Sequence, residues 1–111
     1  MNALRERHCT PIEKGASPLD GKNVHELLAQ VHDWQLADDG KSISRTFRFA
    51  DFHKTMAFVN ALAWIAHQED HHPDLEVGYN RCTVRYSTHT AQGLTLNDFI
   101  CAARIDALLA R

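Results

Sequence analysis

Residues 51–73 read DFHKTMAFVNALAWIAHQEDHHP. Asp51 is a good N-cap, because its carboxylate can accept the free N–H groups of a first helical turn. Behind it, Phe52, Met56, Val59, Ala63 and Ala66 recur as one apolar stripe, and Phe58, Leu62 and Ile65 as a second. This spacing predicts a helix from Phe52 to Glu69. So wide an apolar face is expected to meet a sheet on one side and something else on the other. Pro73 has no N–H and disfavours the α conformation in the residue before it, so a helix must stop short of it. The most apolar run, Met56 to Ala66, is broken by Asn60 and falls well short of the roughly 20 residues a membrane span needs.

Strand patterns flank this helix on both sides. Upstream, Trp34 and Leu36 alternate with Gln35 and Ala37, and Asp39-Gly40 is a pair favoured in tight hairpins. Ile43, Phe47 and Phe49 then alternate with Ser44, Thr46 and Arg48, while Arg45 interrupts the apolar face. Downstream, Leu75, Val77 and Tyr79 alternate with Glu76 and Gly78, and after a turn near Asn80-Arg81 the residues Cys82, Val84 and Tyr86 alternate with Thr83, Arg85 and Ser87. Both stretches predict antiparallel hairpins with one buried face. Val24, Leu27, Leu28 and Val31 form the stripe of a short first helix, with Asn23 and Glu26 at capping-box spacing. A last helix begins near Thr95, where Thr95 and Asp98 have the same spacing, and Leu96, Phe99, Ile100, Ala103 and Ala107 supply its apolar face. Residues 1–19 carry Pro11, Gly15 and Pro18 without periodicity and are expected to form an extended or loosely attached N-terminal arm. The expected fold is α+β: one domain over 20–111, with a four-stranded antiparallel sheet, three helices on one face, and the order α-β-β-α-β-β-α.

Composition narrows the function. The 111 residues suffice for one domain. A net charge of −2 gives no basic surplus for nucleic acid, and the N-terminus has no apolar signal core. Three cysteines, an odd number without a C-x-x-C, argue against a disulfide scaffold and fit a reducing cytoplasm. No phosphate-binding glycine loop or nucleophile elbow is present. Eight histidines are the unusual feature, and histidine titrates near neutrality, so proton transfer or metal binding is indicated.

Four of them (His8, His25, His32 and His53) fall on the arm or on solvated positions and read as surface residues. The chemistry concentrates between His67 and Asp98. His71-His72-Pro73 lies where the long helix ends, and His89 follows the fourth strand. A helix end and a strand end can meet at one rim of a sheet, which would let three imidazoles converge, with Asp70 and Asp98 placed to orient rings. Imidazoles in pairs suit a reaction that protonates a leaving group and deprotonates its neighbour. Each residue also has a plainer reading: a histidine at a helix C-terminus caps the dipole, Asp98 caps the last helix, and Ser87-Thr88 are polar residues at a strand end. A metal site using His67, His71 and His89 competes, since His67 and His71 share a helical face. However, His67-Gln68-Glu69-Asp70-His71 is not H-E-x-x-H.

Taken in order, Asp70-His71-His72-Pro73, Tyr79-Asn80, Thr88-His89, Gly93-Leu94-Thr95 and Asp98 resemble the motif set of pterin-4a-carbinolamine dehydratases, over about Leu19 to the C-terminus; Trp34 also fits. The resemblance implies dehydration of 4a-hydroxytetrahydropterin to quinonoid dihydropterin, a step that recycles the cofactor of aromatic amino acid hydroxylases. It implies His71, His72 and His89 as the catalytic set and Asp70, Pro73, Thr88 and Asp98 as substrate-binding candidates, with Asp98 able to orient His89. It further implies no metal and no organic cofactor, a pterin as the small-molecule partner, and a homodimer or homotetramer. His67 stands where some family members have Glu. A non-catalytic interaction module on the same fold is the alternative of a different class.

Overall fold

The computed structural model describes residues 3–109; the outermost residues of the arm and of the domain, Met1, Asn2, Ala110 and Arg111, lie outside the described residues. Three α-helices and four strands follow the expected order. Helix α1 covers Gly21–Leu28, strand β1 Gln35–Leu36, β2 Ile43–Arg48, α2 Phe52–Glu69, β3 Asp74–Val77, β4 Arg81–Tyr86 and α3 Leu96–Leu108. The sheet order is β1-β2-β4-β3, all antiparallel. The long pairing of β2 with β4 therefore joins the two hairpins, and it runs in register from Ile43 against Tyr86 to Arg48 against Arg81. Side-chain alternation puts Ile43, Phe47, Cys82, Val84 and Tyr86 on the covered face, all buried. Burial of Ile43, Phe47 and Val84 contributes about 1.5–3 kcal/mol each.

Helix α2 has the predicted bounds, and the Asp51 carboxylate accepts the Lys54 N–H as its cap. Its buried face differs from the expected pair of stripes. Thr55, Phe58, Leu62, Ala66 and Glu69 point inward, whereas Phe52 and Trp64 are 46% and 61% exposed. Thr55 is tolerated inside because its hydroxyl lies within hydrogen-bond reach of the Asp51 and Tyr79 carbonyls. The helix ends at Glu69, four residues before Pro73: Asp70 adopts the left-handed conformation, φ 50°, and the His71 N–H folds back onto the Ala66 carbonyl.

Helix α1 is capped by Asp20, whose carboxylate takes the Asn23 N–H, so the cap sits three residues earlier than the Asn23–Glu26 spacing indicates. Asp20 meets the same capping rule, and the helix extends back to Gly21 to meet it. The break that Arg45 makes in the β2 pattern also has a structural cause. Its guanidinium lies 4.4 Å from the Phe47 ring centroid and donates to Asp106 of α3 at 2.8 Å. The same Asp106 oxygen accepts the Trp34 indole N–H at 2.8 Å, so one carboxylate ties β2 and the chain entering β1 to the last helix.

The N-terminal segment lies against this body. Leu4, in a short 3-10 turn, is buried in the core. Further on, the Leu19 N–H bonds the Leu94 carbonyl at 2.8 Å, and a Cβ on Gly93 would fall 2.8 Å from Pro18 Cβ. Among the described residues, no helix is long and apolar enough to cross a membrane.

Candidate active site

The left-handed turn at Asp70 reverses the chain at the end of α2 and brings His71 back over the end of β4. There the imidazole stacks on Tyr86, centroids 5.5 Å apart and planes 9° from parallel. Its Nε2 lies 2.6 Å from Asp98 Oδ1. Asp98 is fully buried, and its other oxygen accepts the Thr88 hydroxyl at 2.8 Å and the Thr95 N–H at 2.9 Å. With the Thr88 proton committed to Asp98, the Thr95 hydroxyl donates to Thr88 Oγ1, 2.8 Å away. Asp98 is thus both the cap of α3 and the anchor of His71. A buried carboxylate is tolerable here because donors surround it.

Burial disfavours a charge on His71, but the hydrogen bond and the charge of Asp98 outweigh it and hold the His71 pKa above the ordinary histidine value. Asp98 holds Nε2, so Nδ1 is the ring nitrogen left for other partners. Burial pushes the Tyr86 phenol well up, and its oxygen has no hydrogen-bond partner among the described residues.

Beyond β4 the Thr88 N–H bonds the Gly93 carbonyl at 2.8 Å and closes a loop around a 3-10 turn, His89–Ala91. This loop presents His89 at the same rim as the α2 end. A cleft of about 610 Å³ opens between them, lined by Asp70, His71, His72, Thr88 and His89, a size ordinary for a small-molecule site. The three proposed proton-transfer histidines therefore share one cleft. Asp98 lies behind its wall and grips His71, not His89, because the first turn of α3 faces the returning His71 ring. Pro73 and His67 are not among the lining residues. His67 is exposed beside Trp64, ring centroids 5.6 Å apart. Among the described residues, no three His, Cys, Asp or Glu side chains are grouped to hold a metal ion.

Cys9, Thr10, Pro11 and Ile12 also line the cleft, as do Glu69 and Asn97. Nothing in their spacing announces this. The one available signal is Glu69 itself, an acid at the C-terminal end of a helix, where the dipole disfavours it. His8, expected at the surface, is exposed and pairs with Glu69 at 2.9 Å.

The sequence pattern of the family described as Pterin 4 alpha carbinolamine dehydratase matches residues 17–108. A relative from Chromobacterium violaceum, classed by name with the pterin-4-alpha-carbinolamine dehydratases, is 58% identical over 111 residues, covering 100% of this chain and 99% of the relative. One from Xanthomonas campestris with the same name is 57% identical over 105 residues, 95% of this chain and 89% of the relative. Among solved structures, a transcriptional coactivator/pterin dehydratase from Brucella melitensis superposes with a TM-score of 0.79 at 33% identity, over 83% of this chain and 98% of that one. A pterin dehydratase-like protein identified as a RuBisCO assembly factor in the alpha-carboxysome superposes with a TM-score of 0.62 at 25% identity, over 71% of this chain and 92% of that one.

Proposed function

The chain belongs to the pterin 4 alpha carbinolamine dehydratase family, and on that premise we propose that it dehydrates 4a-hydroxytetrahydropterin to quinonoid dihydropterin by histidine acid–base catalysis. One observation carries the reading: His71, His72 and His89 face one cleft, and the first of them is held by a buried carboxylate. The reaction breaks the C4a–O bond and forms a C4a=N5 double bond. The hydroxyl leaves as water with one added proton, and the proton on N5 goes to a base. No electrons are exchanged with a second molecule, so groups that hold and move protons suffice. His71, with its raised pKa, is suited to be the acid that protonates the departing hydroxyl through Nδ1. His72 or His89, both exposed to the cleft, takes the proton from N5. Asp70 and Thr88 line the same cleft, which supports them as contacts to the ring.

The test is turnover of chemically generated 4a-hydroxytetrahydropterin. The protein should exceed the spontaneous rate, and His71→Ala and His89→Ala should each lower that excess by about 10²-fold. No acceleration by the wild type would remove the activity, and unchanged rates in both variants would remove the site. The product is the form a reductase returns to the tetrahydropterin, so the reading places the enzyme in recycling of a hydroxylase cofactor. A homodimer or homotetramer in the cytoplasm completes it; free Cys9, Cys82 and Cys101 agree with a reducing compartment, and fractionation of source cells checks the location. The coactivator and assembly-factor descriptions of the two solved structures favour a second reading, partner binding on the same fold. A stoichiometric partner captured by a protein without turnover would select it.

A further inference from the structure

Glu69 has no part in the proton transfers, yet its side chain is only 3% exposed. All of its partners but one come from the N-terminal segment. Oε1 accepts the Cys9 N–H at 2.6 Å, and Oε2 lies 2.9 Å from His8 Nδ1 and 3.9 Å from Arg104 Nε. Burial would raise its pKa; these contacts outweigh burial and keep it below the usual glutamate value. Next to it, buried Asn97 bonds both backbone groups of Thr10, accepting the N–H at 3.0 Å and donating to the carbonyl at 2.7 Å. Arg104 Nε donates to the Arg7 carbonyl at 2.8 Å, and the Cys9 thiol lies 3.5 Å from Cys101 Sγ. Four consecutive residues, 7 to 10, are therefore pinned by side chains of α2 and α3. The pinned chain continues directly into Thr10, Pro11 and Ile12, which line the cleft beside the histidines. The matched family pattern begins only at residue 17.

We propose that Thr10, Pro11 and Ile12 form a wall of the substrate site, and that Glu69 and Asn97 are positioning residues that hold it in place. The inference rests on the pterin reading above. Pro11 and Ile12 offer apolar surface to one face of the pterin's bicyclic ring system, and the Thr10 hydroxyl a hydrogen-bonding group for its polar rim. A wall of this kind binds ground state and transition state alike, so losing it should weaken binding and spare the chemical step.

The experiment measures kcat and KM for 4a-hydroxytetrahydropterin in Asn97→Ala, Glu69→Ala, Glu69→Gln and Ile12→Gly. Asn97→Ala, Glu69→Ala and Ile12→Gly should raise KM about tenfold with kcat within about twofold, the pattern of lost uniform binding. Glu69→Gln keeps an acceptor for the Cys9 N–H and should recover much of the loss. Trypsin should cut faster after Arg7 in Asn97→Ala than in the wild type, and a bound dihydropterin should slow that cut. Ile12 is only partly buried, so its variant stays informative even where the positioning variants melt early. If the wild type turns over while Asn97→Ala and Ile12→Gly keep its KM, the wall is refuted and the dehydratase reading stands. A wild type that neither turns over nor binds dihydropterin refutes both.

Discussion

The Asp98 carboxylate closes the first turn of α3 through one oxygen and grips His71 through the other. Its capping role is written in the Thr95–Asp98 spacing; its hold on His71, 27 residues away, depends on where α2 turns back, which no local pattern records. This pair links stability to pH. The folded His71 pKa is raised, so the stabilisation is fully present below the ordinary histidine value of about 6.5 and fades as pH rises through the raised value. The melting temperature of the wild type should therefore exceed that of His71→Gln most clearly near pH 6, and the gap should narrow toward pH 9. A gap that is flat with pH would show that charge pairing with Asp98 is not what holds the ring. The same rise in pKa favours the protonated form of His71, the form the proposed acid requires.

At the scale of elements, the boundary of α2 and the alternation of β2 and β4 follow from residue type and spacing. The inward face of α2 does not, because Thr55 and Glu69 find polar partners that only neighbouring segments supply, while Phe52 and Trp64 are left outside. The loop from Thr88 to Thr95 is a similar case. It carries His89 and caps α3, and its shape depends on Gly93, where Pro18 of the N-terminal segment leaves no room for a Cβ. Gly93→Ala should cost about 1–3 kcal/mol through this overpacking, read as a lower melting temperature. A melt identical to the wild type would mean that the Pro18 segment yields without penalty.

Across the whole molecule, apolar side chains remain uncovered on α2 and along the edge strand β3: Trp64 is 61% exposed, Leu75 38% and Val77 40%, with Tyr79 just beyond the strand at 65%. A chain of 12.6 kDa with that much uncovered surface is expected to self-associate, in line with the proposed dimer or tetramer. Equilibrium sedimentation should give a mass two or four times the chain mass, and a single species at 12.6 kDa would rule the assembly out. The sequence by itself determined the element order, the fold class and the family, and it singled out three histidines that the fold brings to one cleft, because hydrophobic period, caps and motif order are local properties of the chain. Only the tertiary structure decided that Asp98 holds His71 instead of His89, that β2 pairs with β4 to join the two hairpins, and that residues 7–10 are pinned beside the cleft by Glu69, Asn97 and Arg104. Each of those is a contact between groups distant in sequence, made when burial forces polar atoms to find partners wherever the packed chain provides them.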